Sequence, residues 1–177
     1  MGSVCGTLEE VVDAMTAAGK KVGVLEVHLY RPFSAKHMLA ELPKTVERIA
    51  VLDRTKEPGA FGEPLYLDVV AVLNEAGLNN IKVIGGRYGL SSKDTTPADM
   101  YSVFMHLEKG GHNHFTVSIV DDVTNLSIEK HEFILPEDPT QKSVKIWGIG
   151  SDGLVGASKN TSKIIGDHTD NFVQAYF

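Results

Sequence analysis

The chain has one cysteine, Cys5, in 177 residues. No disulfide can form within it, which suits a reducing compartment. A lone thiolate also holds neither a structural zinc nor an iron–sulfur cluster. Cys5 reads as a small buried residue near the N-terminus. Positive charge is short as well: 17 Lys and Arg stand against 23 Asp and Glu, a formal charge of −6. The basic residues do not cluster, so nucleic acid is not an expected partner. A membrane is not expected either. The longest apolar runs fall far short of the roughly 20 residues that span a bilayer, and the N-terminus has no signal-peptide core. There is no internal repeat and no low-complexity tract. What remains is 42% hydrophobic and 23% charged, the composition of an ordinary globular protein long enough to bury a core.

Apolar periodicity alternates along the chain. Thr7-Leu8-Glu9-Glu10 has capping-box spacing, and Leu8, Val11, Val12 and Met15 follow at helical intervals up to Gly19. Val22 to Tyr30, "VGVLEVHLY", reads as a strand. Ser34 opens a short helix stapled by Phe33 and Met38 and closed by Pro43. "RIAVLD" (Arg48 to Asp53) and "IKVIGG" (Ile81 to Gly86) read as buried strands. Between them Leu65, Val69, Val72 and Leu73 mark a helix stopped by Gly77. Thr96-Pro97-Ala98-Asp99 is a helix start with Pro at the first position and an acid in the first turn. Met100, Val103, Phe104 and Leu107 give that helix its buried face, and Gly110-Gly111 end it; "HFTVSIV" (His114 to Val120) is a last strand.

Short apolar strands between amphipathic helices predict an α/β fold, a mostly parallel sheet with helices on both faces, over residues 1–120. Residues 121–143 turn polar, carry Pro136 and Pro139, and read as a linker. Val144 opens a strand, loop and helix, with a further strand beginning at Gln174-Ala175-Tyr176-Phe177. Residues 144–177 are therefore expected to be the truncated start of a second α/β domain. One strand and one helix bury too little surface to stand alone, so the chain reads as a fragment.

Two loops follow the central strands at the edge where open α/β sheets hold ligands. "LDRTKEPG" carries Arg54, Lys56 and Glu57, and "GGRYGLSSKDTTP" carries Arg87, Lys93 and Asp94. These six residues are expected to contact another domain or a ligand; the alternative is a solvated loop with weak surface pairs. His112-Asn113-His114 lacks companions at metal-ligand spacing and reads as a strand edge, and no metal site is expected. No Ser-His-Asp arrangement or paired acids suggest hydrolytic chemistry.

"KIWGIGSDGLVGASKN" contains G-x-G-x-x-G at Gly148, Gly150 and Gly153 before a helix. Helix N-terminal amides favour a phosphate there. Asp152 inside the turn repels a pyrophosphate, and the acid a dinucleotide site wants some 20 residues on has only Asp167 and Asp170 as candidates. A nicotinamide site, another phosphate contact and a plain structural turn all stay open.

"LYRPFS", "AVLDRTKEPGAFGEPLYLDV", "GGRYGLSSKDTTP", "HFTVSIVDDVTN" and "WGIGSDGLVGASKN" followed by "KIIGDHTD" are long, specific strings. Through them the chain resembles pyruvate:ferredoxin (flavodoxin) oxidoreductase from end to end. The resemblance implies that the first part is a module similar to the C-terminal domain of transketolase. The part from Val144 would start the following, gamma-like domain. It also implies a whole protein that decarboxylates pyruvate on thiamine diphosphate with Mg2+. Electrons would pass through [4Fe–4S] clusters to ferredoxin or flavodoxin, and the acetyl group to coenzyme A.

The thiamine diphosphate signature and the cluster cysteines are not in these 177 residues. No cofactor is thus expected on this chain alone, no catalytic residue is carried over, and the isolated chain is expected to be inactive. By the same resemblance Gly150, Ser151, Asp152, Gly153 and Lys159 would lie on the coenzyme A side. The partners implied are the other domains of the same enzyme, a second subunit in a homodimer, and ferredoxin or flavodoxin through domains elsewhere. The location implied is the cytoplasm, or an anaerobic organelle such as a hydrogenosome in a eukaryote. Two rival readings remain: a free-standing module that docks to a thiamine enzyme, and a small NAD-binding oxidoreductase.

Overall fold

The computed structural model describes residues 2–176 in two compact units, Met1–Pro136 and Glu137–Phe177. In the first unit three strands form one parallel sheet in the order β1-β2-β3: Arg48–Asp53, Lys82–Arg87 and Phe115–Thr116. The register of β1 and β2 runs from Arg48↔Lys82 to Asp53↔Arg87. Both strands therefore end side by side, and the loops that leave them share one edge.

Side chains alternate across the sheet, and each face has its own core. Leu52 and Ile84 join Val11, Met15, Met100, Val103 and Phe115 beneath helices α1 (Cys5–Ala17) and α4 (Pro97–Glu108). Val51 joins Met38, Leu65, Val69 and Leu73 beneath α2 (Ala35–Glu41) and α3 (Pro64–Glu75). The α/β architecture with helices on both faces follows from this division.

Gly85 and Gly86 lie at the strand end where an aromatic ring approaches each face. A Cβ on Gly85 would come within 2.9 Å of the Tyr66 ring, and one on Gly86 would collide with Phe115. The pair is needed because no side chain fits beneath either ring.

Local signals hold where the partners are nearby. Thr96 and Asp99 form the reciprocal capping box of α4, and Ser34 accepts the His37 amide at the start of α2. Gly77 takes a left-handed φ of 71° after α3. Three expectations are corrected. Thr7 does not cap α1, which begins at Cys5, so Thr7 to Glu10 lie inside the helix. Val22 to Tyr30 run without strand pairing, because β composition needs a hydrogen-bonded neighbour to become a strand. The His114 to Val120 strand shrinks to Phe115–Thr116, because His114 and Ser118 take φ of 59° and 68°, outside the extended region.

Residues of the stretch read as a linker also pack on this unit. Thr116 bridges Ser127, Phe133 stacks on Tyr101 with ring centroids 4.5 Å apart, and the His131 amide donates to Ser102 Oγ at 2.7 Å.

Among the described residues the second unit contains one helix, α5 (Leu154–His168), with no buried residue. Val144 to Ile149 form no strand, a further correction: among the described residues none pairs with them. Nor do Gln174 to Tyr176 begin a strand, and Phe177 lies outside the described residues.

Candidate functional site

Asp53 ends β1 with its side chain fully buried. Its Oδ1 accepts the Leu65 amide and its Oδ2 the Tyr66 amide, both at 3.1 Å. The β1 C-terminus is thereby tied to the first turn of α3, whose amides have no partner within the helix. Burial raises the Asp53 carboxyl above its ordinary value of 3.8, against the lowering pull of the two amides.

Between Asp53 and α3 the loop bows outward and leaves a cleft of about 340 Å³. Lys56, Glu57 and Phe61 line it from the loop, Glu63 from the N-cap of α3, Arg87 from the end of β2, and His114 from the turn before β3. Glu63 and Arg87 are both buried, with Arg87 Nε 3.6 Å from Glu63 Oε1. Arg87 Nη2 donates to the His114 carbonyl at 2.7 Å. Glu63 Oε2 and Arg87 Nε are buried with no hydrogen-bond partner, a state that costs about 1–3 kcal/mol per group.

Behind them, Asn113 Oδ1 accepts the Gly85 amide at 2.6 Å, and its Nδ2 donates to Tyr66 Oη at 2.7 Å. The His114 ring meets Tyr66 edge-on, centroids 5.6 Å apart. The wall of the cleft is therefore fixed, while Phe61 on its rim is 93% exposed.

Of the six loop residues singled out from sequence, Lys56, Glu57 and Arg87 meet at this cleft. Arg54 turns toward the N-terminus, donating to Ser3 Oγ at 3.0 Å. Lys93 and Asp94 are exposed after the short 3-10 turn Leu90–Ser92 and do not line the cleft. Sequence reasoning missed Phe61, Glu63 and the role of His114. The parallel β1–β2 register was the available signal, because it makes the residues that follow neighbouring strand ends into neighbours.

The glycine loop is closed on itself. Gly150 and Gly153 take φ of 122° and 80°, which gives the turn its shape. Asp152 Oδ2 accepts the Ile149 amide at 2.9 Å and Oδ1 the Leu154 amide at 3.0 Å. Those amides hold the carboxyl below its ordinary range. Asp152 therefore occupies the position where a bound anion would take these donors. Ser151 is exposed in the turn, and Lys159 lies on α5 beyond the first turn. Asp167 is on α5 and Asp170 just after it. Among the described residues no strand follows α5, so neither acid stands at the end of a second strand as a dinucleotide site requires.

Among the described residues no group of three or more His, Cys, Asp and Glu side chains is placed to hold a metal ion. No helix among them is long and apolar enough to cross a membrane.

The family description "Pyruvate:ferredoxin oxidoreductase core domain II" matches residues 1–100. Over its full length the chain is 54% identical to the pyruvate:ferredoxin oxidoreductase of Moorella thermoacetica, of which it covers 15%. It is 53% identical to the pyruvate-flavodoxin oxidoreductase of Klebsiella pneumoniae, again covering 15%. It is 51% identical to the mitochondrial pyruvate dehydrogenase [NADP(+)] of Euglena gracilis, covering 10%. The chain thus spans a small part of the curated relatives it matches.

Proposed function

The chain belongs to the pyruvate:ferredoxin oxidoreductase family, and from that premise we propose that it serves in an enzyme converting pyruvate and coenzyme A to acetyl-CoA and CO2, with ferredoxin or flavodoxin as electron acceptor. The observation that carries this reading is identity of 54% along the whole chain to a relative of that name. In it, residues 1–120 are the transketolase-C-like domain, 121–143 the connection, and 144–177 the start of the gamma-like domain. The whole enzyme would be a cytoplasmic homodimer, or reside in an anaerobic organelle in a eukaryote.

The residues present do not fit the thiamine diphosphate, Mg2+ or [4Fe–4S] groups that the family implies. There is one cysteine, no Gly-Asp-Gly with a following Asn, and no acidic cluster of metal-ligand geometry among the described residues. No catalytic step is therefore assigned to this chain. Its part is to position neighbouring domains, with Arg54, Lys56, Glu57, Arg87, Lys93 and Asp94 as the contact residues.

The coenzyme A contact at Gly150 to Gly153 and Lys159 rests on the family resemblance. The amides of Ile149 and Leu154 are already taken by Asp152, so a phosphate there would depend on the cationic side chain of Lys159. The test is pyruvate- and coenzyme A-dependent reduction of methyl viologen by the full-length protein that carries this sequence. Turnover is expected from it and none from the 177-residue chain supplied with thiamine diphosphate and coenzyme A. Turnover by the isolated chain would refute the positioning role.

A further inference from the structure

The turn between α4 and β3 is closed by two histidines in series. His106 Nε2 lies 3.0 Å from the His112 carbonyl oxygen, and His112 Nε2 lies 3.2 Å from that of Leu126. A carbonyl oxygen only accepts, so each Nε2 carries a proton, and the neutral rings already make both bonds. The rings meet edge-on with centroids 4.7 Å apart, and His106 also packs on Phe115 at 5.2 Å. The His106 ring presses so closely on Gly111 that a Cβ there would collide with it. The Leu126 carbonyl that receives His112 also accepts the Thr116 amide of β3 at 2.8 Å, and the Ile128 amide donates to the Thr116 carbonyl at 3.0 Å.

The charged groups around this turn do not suit a second proton on His106. Lys82 of β2 donates to the Gly110 and Gly111 carbonyls, and Arg48 of β1 donates to those of Leu107 and Glu108. The nearby carboxylates are engaged elsewhere: Glu108 with Lys20 at 3.5 Å, Glu129 with Lys109 at 3.9 Å and the His131 ring at 3.8 Å. An imidazolium at His106 would stand beside Lys82 and a second histidine, with burial against it as well.

We infer that the His106–His112 pair is an acid-released latch: at neutral pH it fastens Leu126, at the head of the 126–136 segment, to the end of α4, and protonation of His106 loosens that segment from β3. Burial is the main cause holding the His106 imidazole below its ordinary value of 6.5; the charges of His112 and Lys82 add to it, and the bond to the His112 carbonyl opposes it. The folded value thus lies below the unfolded one, and the released state holds more protons. The latch is complete above 6.5 and weakens as pH falls from there through the folded value. Asn113 and His114 follow directly, so the loosening also reaches the Gly85 amide that Asn113 Oδ1 accepts.

The experiment is amide exchange of the 177-residue chain, followed by NMR from about pH 7.5 to about pH 5 and corrected for the intrinsic rate at each pH. Protection of the Thr116 and Ile128 amides should fall about three- to tenfold, with a midpoint that tracks the His106 ring resonances. His106→Gln keeps an N–H donor and cannot titrate, so it should hold the neutral-pH protection throughout. Unchanged protection of α3 shows that the variant is folded. Long-range proton–nitrogen spectra at the upper pH should find both rings in the Nε2–H form.

Constant protection of the two amides in the parent chain would overturn the inference, and so would an equal fall in the variant. A fall whose midpoint departs from the His106 titration overturns it without recourse to any variant. Either ring in the Nδ1–H form would do the same, because the series of bonds would then not exist.

Discussion

Asp53 and Asp152 do the same job in very different surroundings. Each carboxylate accepts two backbone amides, and each ties the approach to a helix to that helix's first turn. Asp53 does so beneath two packed layers with no exposed surface, and Asp152 does so in an exposed turn. The acidities move in opposite directions as a result. Burial raises Asp53, whereas amides with little burial to oppose them lower Asp152. A carboxylate cap thus holds architecture only where loss of water makes its absence costly.

The sharpest way to break the comparison is to remove both carboxylates. Asp53→Ala leaves the Leu65 and Tyr66 amides short of an acceptor in a dry site. It should lower the unfolding free energy by about 2–4 kcal/mol in urea titrations. A loss no greater than that of an exposed residue would show the burial argument to be wrong. Next in size is Gly86→Ala, which drives a methyl group into the Phe115 ring. A loss of about 1–3 kcal/mol is expected by the same measurement, with lowered protection of β2 amides.

Acid titration sharpens the contrast at smaller scale. The folded Asp53 pKa lies above its unfolded value, so the native state holds more protons and Asp53 weakens stability as pH rises. That slope begins near the ordinary value of 3.8 and ends once the raised folded value is passed. Asp53→Asn should flatten it in a series of chemical denaturations. For Asp152 the sign reverses. Its stabilisation is present above the unfolded pKa and is lost as pH falls through the depressed folded value. Carbon-detected NMR should find the two carboxyls titrating on opposite sides of 3.8; the same order reversed would contradict both causes.

The smallest effect is expected from Asp152→Ala. Helical circular dichroism from α5 should decrease while the unfolding midpoint of the Met1–Pro136 unit stays unchanged. A shift of that midpoint would mean that the glycine turn supports more than its own helix. Limited trypsin digestion should also cut first at Lys142 or Lys145, in the exposed N-terminal stretch of the second unit, and leave the first unit intact.

Legibility in sequence followed the range of the interactions. "RIAVLD" is β1 to the residue, because the unbroken apolar run Ile49 to Leu52 sits between two charged ends and its C-terminal half is buried. The Thr96 to Asp99 cap is also legible, because all of its partners lie within four residues. Val22 to Tyr30 failed for the opposite reason, since composition does not supply a neighbouring strand. At the cleft, Lys56, Glu57 and Arg87 were visible as charge in strand-end loops. Glu63 was not, because its burial against Arg87 depends on how α3 packs. Asp152 was read as an obstacle to an anion, and it proves to be the occupant of the anion's donors.

The adjacent glycines of β2 make the sheet locally a membrane one peptide thick, with an aromatic drumhead on each side. Tyr66 presses on Gly85 from one layer and Phe115 on Gly86 from the other. Neither ring can be enlarged or withdrawn without flexing the same stretch of backbone. That stretch leads directly to Arg87, and the Tyr66 hydroxyl is held by the side chain next to His114. Pressure applied at the cleft therefore has a short mechanical route into both cores, and tension in either core has a route back.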